Sequence, residues 1–383
     1  MVILGYGAPE VEELYRKAQA LGFTGSQPAQ VMPILYGVWV SNLVHGKLER
    51  AIGYGKDFLD LAERSHSPAV LVGQRMVGVP LFYLGQLSRA REHLEQANSL
   101  YEAAKHRALA WLYGQEPGMT TRSYLSWTMW ILGYPDQAAD HCRETVRLAR
   151  EVDHSLSKGH GFCFAAIHAH FCQDWEAFRE LATELVVIGR ERNLRFWLPV
   201  GKVLSGLVQT KDGEGEVGLA EMRSGIRDLI SASNKLNLTI LYRLLAEAYS
   251  HLLRPDEGLV AIQDGLHVVE AIGEVFYEPE LHRFRGELLL QQSGADAETR
   301  AEECFQRAIR ISRQQGAKSW ELRAGINLGR LWKKRGKRLE TIELLGPLCE
   351  WFIQRCDSDD LQEARTLLQQ LDRIENNSSV IRE

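Results

Sequence analysis

Apolar side chains recur every three to four positions along almost all of the 383-residue chain. Leucine, alanine, glutamate and arginine dominate these segments, whereas runs that alternate apolar and polar residues are few. A spacing near 3.6 is typical of amphipathic helices, while strands alternate with a period of two. The pattern therefore predicts an all-α protein.

A turn motif repeats within this helical sequence. In seven places a turn residue, usually glycine, is followed five positions later by a small residue. That small residue is the first on the apolar face of the next helix. The seven segments are GKLERA from Gly46, GQLSRA from Gly85, GYPDQA from Gly133, CQDWEA from Cys172, GEGEVG from Gly213, LRPDEG from Leu253 and GKRLET from Gly336. The first five intervals between successive turns range from 39 residues (Gly46 to Gly85) to 48 residues (Gly85 to Gly133), and the last, from Leu253 to Gly336, spans two units. Self-similarity at such a period indicates a helical repeat protein.

A second small residue lies seven positions before the turn in six of the units. These residues are Gly78, Ser126, Ala165, Gly206, Ala246 and Gly329, and a less regular unit has Gly286 followed by a second helix near 298–315. A small side chain late in one helix lets the next helix fold back against it, and glycine gives the turn its backbone freedom. We predict about eight helical hairpins stacked as a right-handed superhelical, tetratricopeptide-like solenoid with a period of about 40 residues.

The hairpins divide the chain into four parts. We predict an N-terminal helix or cap over 1–27 (helix 9–21), repeats 1–2 over 28–111, repeats 3–8 over 112–355 after a kink at 112–120, and a capping helix (359–371) with a polar tail over 356–383. The loop LYGQEPGMT at 112–120 is chosen for the kink because it lies in the longest spacing between turns.

Charge and composition narrow the function classes. With 45 Lys and Arg against 50 Asp and Glu, the net charge is -5, which disfavours a nucleic-acid partner, since phosphate binding rests on clustered positive charge. The sequence has neither an 18-residue apolar run nor a signal-peptide pattern, and the six cysteines form no CxxC pair. We predict a cytoplasmic protein with reduced thiols and no membrane partner.

Motifs for catalysis and metal binding are not found in the sequence. It contains no GxxxxGK[ST], GxGxxG after a strand, GxSxG or HExxH, so we predict no enzyme activity and no cofactor. The segment HGFCFAAIHAHFC (160–172) is rich in metal-ligating side chains, yet His160 and His170 would lie about 15 Å apart on a helix. His168 and Cys172 share a face but need ligands from another helix, so we predict packed side chains and no metal site.

The concave groove of such arrays is lined by the first helix of each hairpin, at positions three before and one after the small residue. The segments YRLLAE (242–247) and HRFRGE (282–287) place an arginine and a glutamate four apart at these positions, where they could form a ladder of charge or an intrahelical pair on a solvated face. Two tryptophans offer flat anchors or core packing. The partner-binding residues that we predict are Arg75, Ser123, Trp127, Trp130, Arg243, Glu247, Arg283, Glu287 and Arg330.

The C-terminal sequence resembles a known family. SWELRAGINLGRLWKKRGKRLETIELLGPLCEWF and DSDDLQEARTLLQQL, with ELHRFRGELLLQQ and AEECFQRAIRISRQQGA before them, resemble the tetratricopeptide-like region of bacterial proteins that join a class III adenylate or guanylate cyclase to a signalling ATPase. A weaker likeness extends back to GYGAPEVEELYRKAQAL. Neither the cyclase nor the ATPase domain is in this sequence, so the resemblance implies a sensor or scaffold region, either cut from a longer protein or standing alone.

Two functions follow as hypotheses. The first is a non-catalytic scaffold or sensor that binds a protein or peptide in its concave groove and regulates a cyclase or ATPase module. The alternative is a solenoid that senses a small molecule near Trp127, which predicts a buried, polar-lined site near the 112–120 loop. An exposed apolar end would favour a homodimer.

Overall fold

The fold is a continuous array of helices. The computed structural model describes residues 28–292, 294, 296–353 and 358–380, without the side chains of 372–380. Within these residues there are 19 helices and no strand, which confirms the all-α prediction. The helices are α1 (Pro28–Val44), α2 (Leu48–Arg64), α3 (Val70–Tyr83), α4 (Leu87–Ser99), α5 (Ala103–His106), α6 (Leu109–Tyr113), α7 (Pro117–Leu132), α8 (Pro135–Glu151), α9 (Ser155–Phe171), α10 (Trp175–Glu191), α11 (Trp197–Lys211), α12 (Gly215–Ser231), α13 (Leu238–His251), α14 (Pro255–Ile272), α15 (Glu278–Gln291), α16 (Ala297–Gln315), α17 (Lys318–Lys334), α18 (Arg338–Ile353) and α19 (Asp359–Val380).

Sixteen of these helices pair into eight antiparallel hairpins, as predicted. Units 1 and 2 are α1/α2 and α3/α4, units 3 to 8 are α7/α8 through α17/α18, and α19 packs on the last unit. The short helices α5 and α6 lie between units 2 and 3, while α4 and α7 remain in direct contact. Helix α19 begins at Asp359 as expected and continues past Leu371. The predicted helix at 9–21 lies outside the described residues.

The hairpin turns use a left-handed residue at nearly every predicted position. Five of the predicted glycines, such as Gly213 with φ +97°, adopt this conformation, and Leu253 adopts it without glycine (φ +56°). In the fourth unit the prediction was off by one residue, because Gln173 (φ +59°) and not Cys172 takes the left-handed position. The buried residue five later is then Phe178, and the local pattern misled because no glycine marks this turn.

Small residues let the two helices of a hairpin touch. A Cβ added to Gly218 on α12 would lie 2.3 Å from the carbonyl oxygen of Gly206 on α11. Such a distance is impossible without moving backbone, so this pair of positions accepts only glycine at the observed helix separation. The predicted close approach of the two helices is confirmed here.

The superhelix closes on itself, which the repeat pattern did not reveal. In units 1, 2 and 3 a carbonyl oxygen near the end of the first helix accepts a hydrogen bond from another unit. The donor lies at the start of the unit that comes five units later in the array. These bonds are Lys235 N to Val44 O (2.9 Å), Val275 N to Tyr83 O (2.9 Å) and Ser319 Oγ to Trp130 O (2.5 Å), which join units 1, 2 and 3 to the starts of units 6, 7 and 8. Helix C-terminal carbonyls that would otherwise need water are thereby satisfied across the superhelix axis.

Aromatic side chains fill the contact between the two halves. The ring of Phe82 lies 4.4 Å from that of Phe276, and the ring of Trp130 lies 4.7 Å from that of Trp320. Trp127 stacks on Phe164 at 4.1 Å with no exposed surface. Because large aromatic rings bury the most apolar area per residue, this cluster holds units 2–4 against units 7 and 8. None of the described helices is both long and apolar enough to cross a bilayer.

Candidate functional site

An open cavity of about 640 Å³ lies on the inner surface of the second half of the array. Its walls come from the first helices of units 4 to 8, from the start of α10 and from α19. We call it the charged groove, and its ionisable lining residues are His170, Asp174, Lys211, Arg243, Glu247, His251, Arg283, Glu287, Arg323, Arg330, Asp360 and Glu363. Inner helices therefore line the concave surface, as expected for stacked hairpins.

Glu247 is the centre of the first charge cluster. Its Oε2 atom pairs with Arg243 one turn earlier and with His170 Nε2 at 2.8 Å, while Oε1 pairs with Lys211 Nζ at 2.7 Å. Burial opposes ionisation of Glu247, but the neighbouring cations outweigh it and hold its pKa well below the usual range. Burial also lowers the pKa of His170. We therefore assign a neutral imidazole that donates to Glu247, with Arg243 and Lys211 as the charges that stabilise the carboxylate.

Arg283 forms a second cluster one repeat further along the groove. Its Nε lies 2.6 Å from Glu280 Oε1, its Nη2 lies 3.0 Å from Oε2, and Nη1 lies 2.7 Å from Glu287 Oε1. Burial disfavours the charged guanidinium, but Glu280 and Glu287 outweigh it and raise the pKa of Arg283. Asn327 donates to Glu287 at 2.9 Å. The bidentate pair holds Arg283 rigidly, because two parallel hydrogen bonds fix the guanidinium plane.

Two further pairs join the last unit to α19. Arg323 Nε lies 2.8 Å from Asp360 Oδ2, and its guanidinium carbon lies 4.7 Å above the Trp130 ring. Arg330 pairs with Glu363 at the rim, where the arginine side chain is 55% exposed. An exposed pair of this kind contributes little to stability and can rearrange around a ligand. The rim is thus adaptable, whereas the Arg323 contact is anchored.

The lining has as many acids as permanent cations. All five Lys and Arg side chains of the groove form ion pairs, and their partners are four of the five acids, because Glu247 pairs with both Lys211 and Arg243. The fifth acid, Asp174, accepts a hydrogen bond from Ala177 N and caps α10. A surface with paired charges has little long-range attraction for a polyanion. It presents donors and acceptors at short range instead, which suits amide groups and ligands of mixed charge.

Five of the nine predicted partner-binding residues line this groove together: Arg243, Glu247, Arg283, Glu287 and Arg330. The arginine and glutamate of each matching pair do contact each other at i and i+4, but they lie in a half-buried cavity and not on a solvated face. The intrahelical pairing and the charged groove, weighed as alternatives, are therefore both present.

The other four predicted residues are buried elsewhere. Ser123 donates to Met119 O within its own helix, and Trp127 donates Nε1 to Phe164 O at 2.9 Å. Trp130 is 4% exposed, and Arg75 is 1% exposed in the first half of the array. The closure of the superhelix explains the difference, because it covers the inner helices of units 2 and 3, which carry these four residues, and leaves the groove-lining residues of units 4–8 open. In this structure none of the four presents a free side-chain surface to a partner.

Several groove residues were missed by counting only two positions per repeat. His170, Lys211, Arg323 and Asn327 lie about one helical turn before or after the counted positions. Residues three or four apart share a helix face, so extending the count by one turn in each direction would have found them. Asp360 comes from α19, outside the repeat, and no spacing signal marks it.

The histidine-rich segment forms part of α9. His168 Nε2 lies 3.5 Å from Cys172 Sγ, while His160 is buried near the other end of the helix. Among the described residues no group of three or more His, Cys, Asp or Glu side chains converges as metal ligands.

Comparisons with known proteins support the fold. No family model matches the chain. The uncharacterized protein R02095 of Rhizobium meliloti (strain 1021) is 19% identical over 318 residues, which are 80% of this chain and 30% of that protein. This chain therefore spans less than a third of the length of that relative.

Solved structures with similar architecture include a Rap protein complexed with Competence and Sporulation Factor, at 12% identity, TM-score 0.55 and coverage of 91% of this chain and 98% of that one. The apo form of RapI (12% identity, TM-score 0.47, 78% and 99% covered) is less similar. So is a STAND protein with a tetratricopeptide repeat sensor, PH0952 from Pyrococcus horikoshii (13% identity, TM-score 0.43, 91% and 53% covered). At such identities the likeness shows the fold alone, which is a tetratricopeptide-like helical solenoid.

Proposed function

We propose that this protein is a non-catalytic scaffold or sensor that binds a protein segment or peptide in the charged groove. The observation that carries the proposal is the open cavity whose walls come from five consecutive units. Units 6 and 7 repeat an arginine and a glutamate at matching positions, and units 4, 5 and 8 add further polar groups along the groove. An extended chain needs donors and acceptors at intervals along its length. The balanced charges favour a segment of mixed charge over a nucleic acid.

The first experiment selects peptides from a random display library on the whole protein and measures their affinity by fluorescence anisotropy. The variant Arg330→Glu with Asn327→Ala changes the rim and one wall of the groove without removing a buried cation. We expect at least about tenfold weaker binding, which is about 1.4 kcal/mol. Arg310→Glu, on the exposed face of α16, is the matched control and is expected to bind as the wild type does.

Selected peptides that bind the groove variant and the wild type equally would contradict the proposal. So would a selection that enriches no peptide above the level of an unrelated helical protein. An equal loss in the control variant would show that charge alone, and not the groove, governs binding.

The finer part of the proposal is that the chain regulates a cyclase or ATPase module. It is supported by the resemblance of the C-terminal units to cyclase–ATPase proteins and by a relative more than three times as long as the matched region. The test adds purified cyclase and ATPase domains of such proteins to the chain in trans. A saturable change in nucleotide turnover that the groove variant loses supports regulation, whereas unchanged turnover with no detectable binding contradicts it.

A further inference from the structure

Arg75 differs from the other buried arginines of the inner surface. It occupies the same repeat position as Arg283, three residues before the small residue, and is 1% exposed. Arg283 has two carboxylate partners, Glu280 and Glu287. Among the described residues no carboxylate lies within 4.0 Å of the Arg75 guanidinium. A buried cation without a counterion is costly, so its retention needs an explanation.

Neutral groups surround Arg75 in the first half of the array. Nη1 donates to Gln115 Oε1 at 2.8 Å and Nη2 to Tyr36 Oη at 3.3 Å. Gln115 belongs to the linker before α7, and its Nε2 lies 3.4 Å from His160 Nδ1. The adjacent Glu116 points Oε2 at the backbone N–H of Met119 instead, which caps α7. These contacts orient Arg75 but do not neutralise its charge.

Three N–H donors in this region have no acceptor among the described residues. They are Arg75 Nε, His160 Nε2 and Trp197 Nε1, each on a side chain no more than 5% exposed. Because Gln115 Oε1 already accepts two bonds, its amide nitrogen faces His160 Nδ1, which places the imidazole proton on Nε2. Burial and the nearby Arg75 charge lower the pKa of His160 to about 3, so the ring is neutral. The His160 ring lies 5.4 Å from that of Trp197.

All three groups are donors, and one of the three side chains carries a full positive charge. The unpartnered acceptor Glu116 Oε1 of the adjacent linker belongs to the carboxylate that caps α7. We propose that Arg75, His160 and Trp197 form the polar end of a binding site for a small anion that carries a carboxylate or phosphate group. A guanidinium presents a planar fork that matches either group. Aromatic rings lie next to these donors. The ring centroids of Tyr36 and Tyr113 are 5.1 Å apart, and the Phe164 ring stacks on the His160 ring with a centroid distance of 4.2 Å. Because these rings would contact the rest of the ligand, we expect it to carry a flat apolar part next to its anionic group.

The site is independent of the charged groove, because the two share no residue. It lies at the end of the 112–120 loop where a small-molecule sensor was expected to bind its ligand. Binding there would join the linker between units 2 and 3, through Gln115, to units 4 and 5, through His160 and Trp197. An anion at this position would therefore stabilise the first half of the superhelix.

The test measures the melting temperature of the whole protein with inorganic phosphate and with benzoate, each against sodium chloride of equal ionic strength. We expect at least one probe to raise the Tm with a saturable dependence on concentration, because a ligand that binds only the folded state stabilises it. Arg75→Met is expected to abolish that rise and to melt no lower than the wild type without ligand, since it removes an unpaired buried charge. Arg330→Glu, at the groove rim, should keep the full rise.

A response to phosphate alone assigns the site to phosphate-bearing ligands, and a response to benzoate alone assigns it to aromatic carboxylates. No saturable rise with either probe overturns the proposal, as does a rise that Arg75→Met retains. If Arg75→Met does not fold, the proposal still predicts weaker responses for Arg75→Lys, which loses the fork, and for Trp197→Phe, which loses one donor. Unchanged responses in both would then refute it.

Discussion

The two halves of the superhelix are built from the same hairpin but use their inner faces differently. In units 2–4 the inner helices carry aromatic side chains that pack against units 7 and 8, as Trp127 and Phe82 do around Phe276. In units 5–8 the inner helices carry paired charges around an open cavity. The comparison of Arg75 with Arg283 shows that an identical repeat position can lie in a closed interior or beside an open groove. Position in a repeat therefore predicts the side of the helix, but not its exposure.

The largest effect is expected from Trp127→Ala. The ring is fully buried, stacks on Phe164 and donates to its carbonyl oxygen, so the loss should reach about 4 kcal/mol of unfolding free energy. Trp111→Ala, at a site that is 75% exposed, is the matched control with an expected change below about 0.5 kcal/mol. Urea unfolding measures both. A Trp127 variant of unchanged stability that only loses partner binding would restore the surface role that the sequence suggested.

Arg283→Met is expected to cost about 3 kcal/mol, because it leaves the buried Glu280 carboxylate without its bidentate partner. The double variant Glu280→Met with Arg283→Met should recover most of this loss, since neither charge then remains unpaired. The contrast with Arg75→Met, expected to cost little, sharpens the comparison of the halves. Equal destabilisation by Arg75→Met and Arg283→Met would mean that Arg75 is compensated in the same way.

The pH dependence of the stability should follow Glu274, which joins units 6 and 7. This carboxylate, before α15, has no exposed surface and accepts from Asn237 N at 2.8 Å and from the Thr239 hydroxyl. Burial raises its pKa from 4.5 to about 7, against the opposing effect of these hydrogen bonds. The folded state then binds the proton more tightly than the unfolded state, so the stabilisation is fully present below pH 4.5 and is lost as the pH rises through about 7.

We expect the unfolding free energy of the wild type to fall across that window by at most about 3.5 kcal/mol, at about 1.4 kcal/mol per pKa unit. Glu274→Gln keeps both hydrogen bonds, since its carbonyl can accept from Asn237 and its amide can donate to Thr239. It should flatten the profile and exceed the wild type above pH 7, whereas Glu49→Gln, on the exposed face of α2, should not. A Glu274→Gln profile that still falls from pH 4.5 to 7 would show that another group titrates.

Much of the groove could be read from the sequence because its signal is local. The arginine and glutamate of YRLLAE and HRFRGE lie four apart on an inner helix, and helix geometry alone places them on one face. Arg323 would have been found by applying the same rule one helical turn before the counted position. Asp360 could not be found in this way, because its contact with Arg323 joins the repeat to a helix outside it. The N–H donors without an acceptor near Arg75 could not be found either. They lie on or beside Gln115, His160 and Trp197, which come from three separate segments, and no local sequence pattern shows that these segments meet.

The sequence by itself determined the hairpins, their number and the positions of nearly all their turns, because each depends on residues within a single unit. A left-handed residue and a small side chain at a set spacing are enough to fold one helix back on the other. Only the tertiary structure decided which inner faces are closed. That outcome rests on contacts between units five apart, such as Val275 with Tyr83, and these arise from small rotations summed along the array. The rotation from one unit to the next is too small to be recognised in the sequence of a single repeat. Its sum over the array determines which inner faces are packed and which line the open groove.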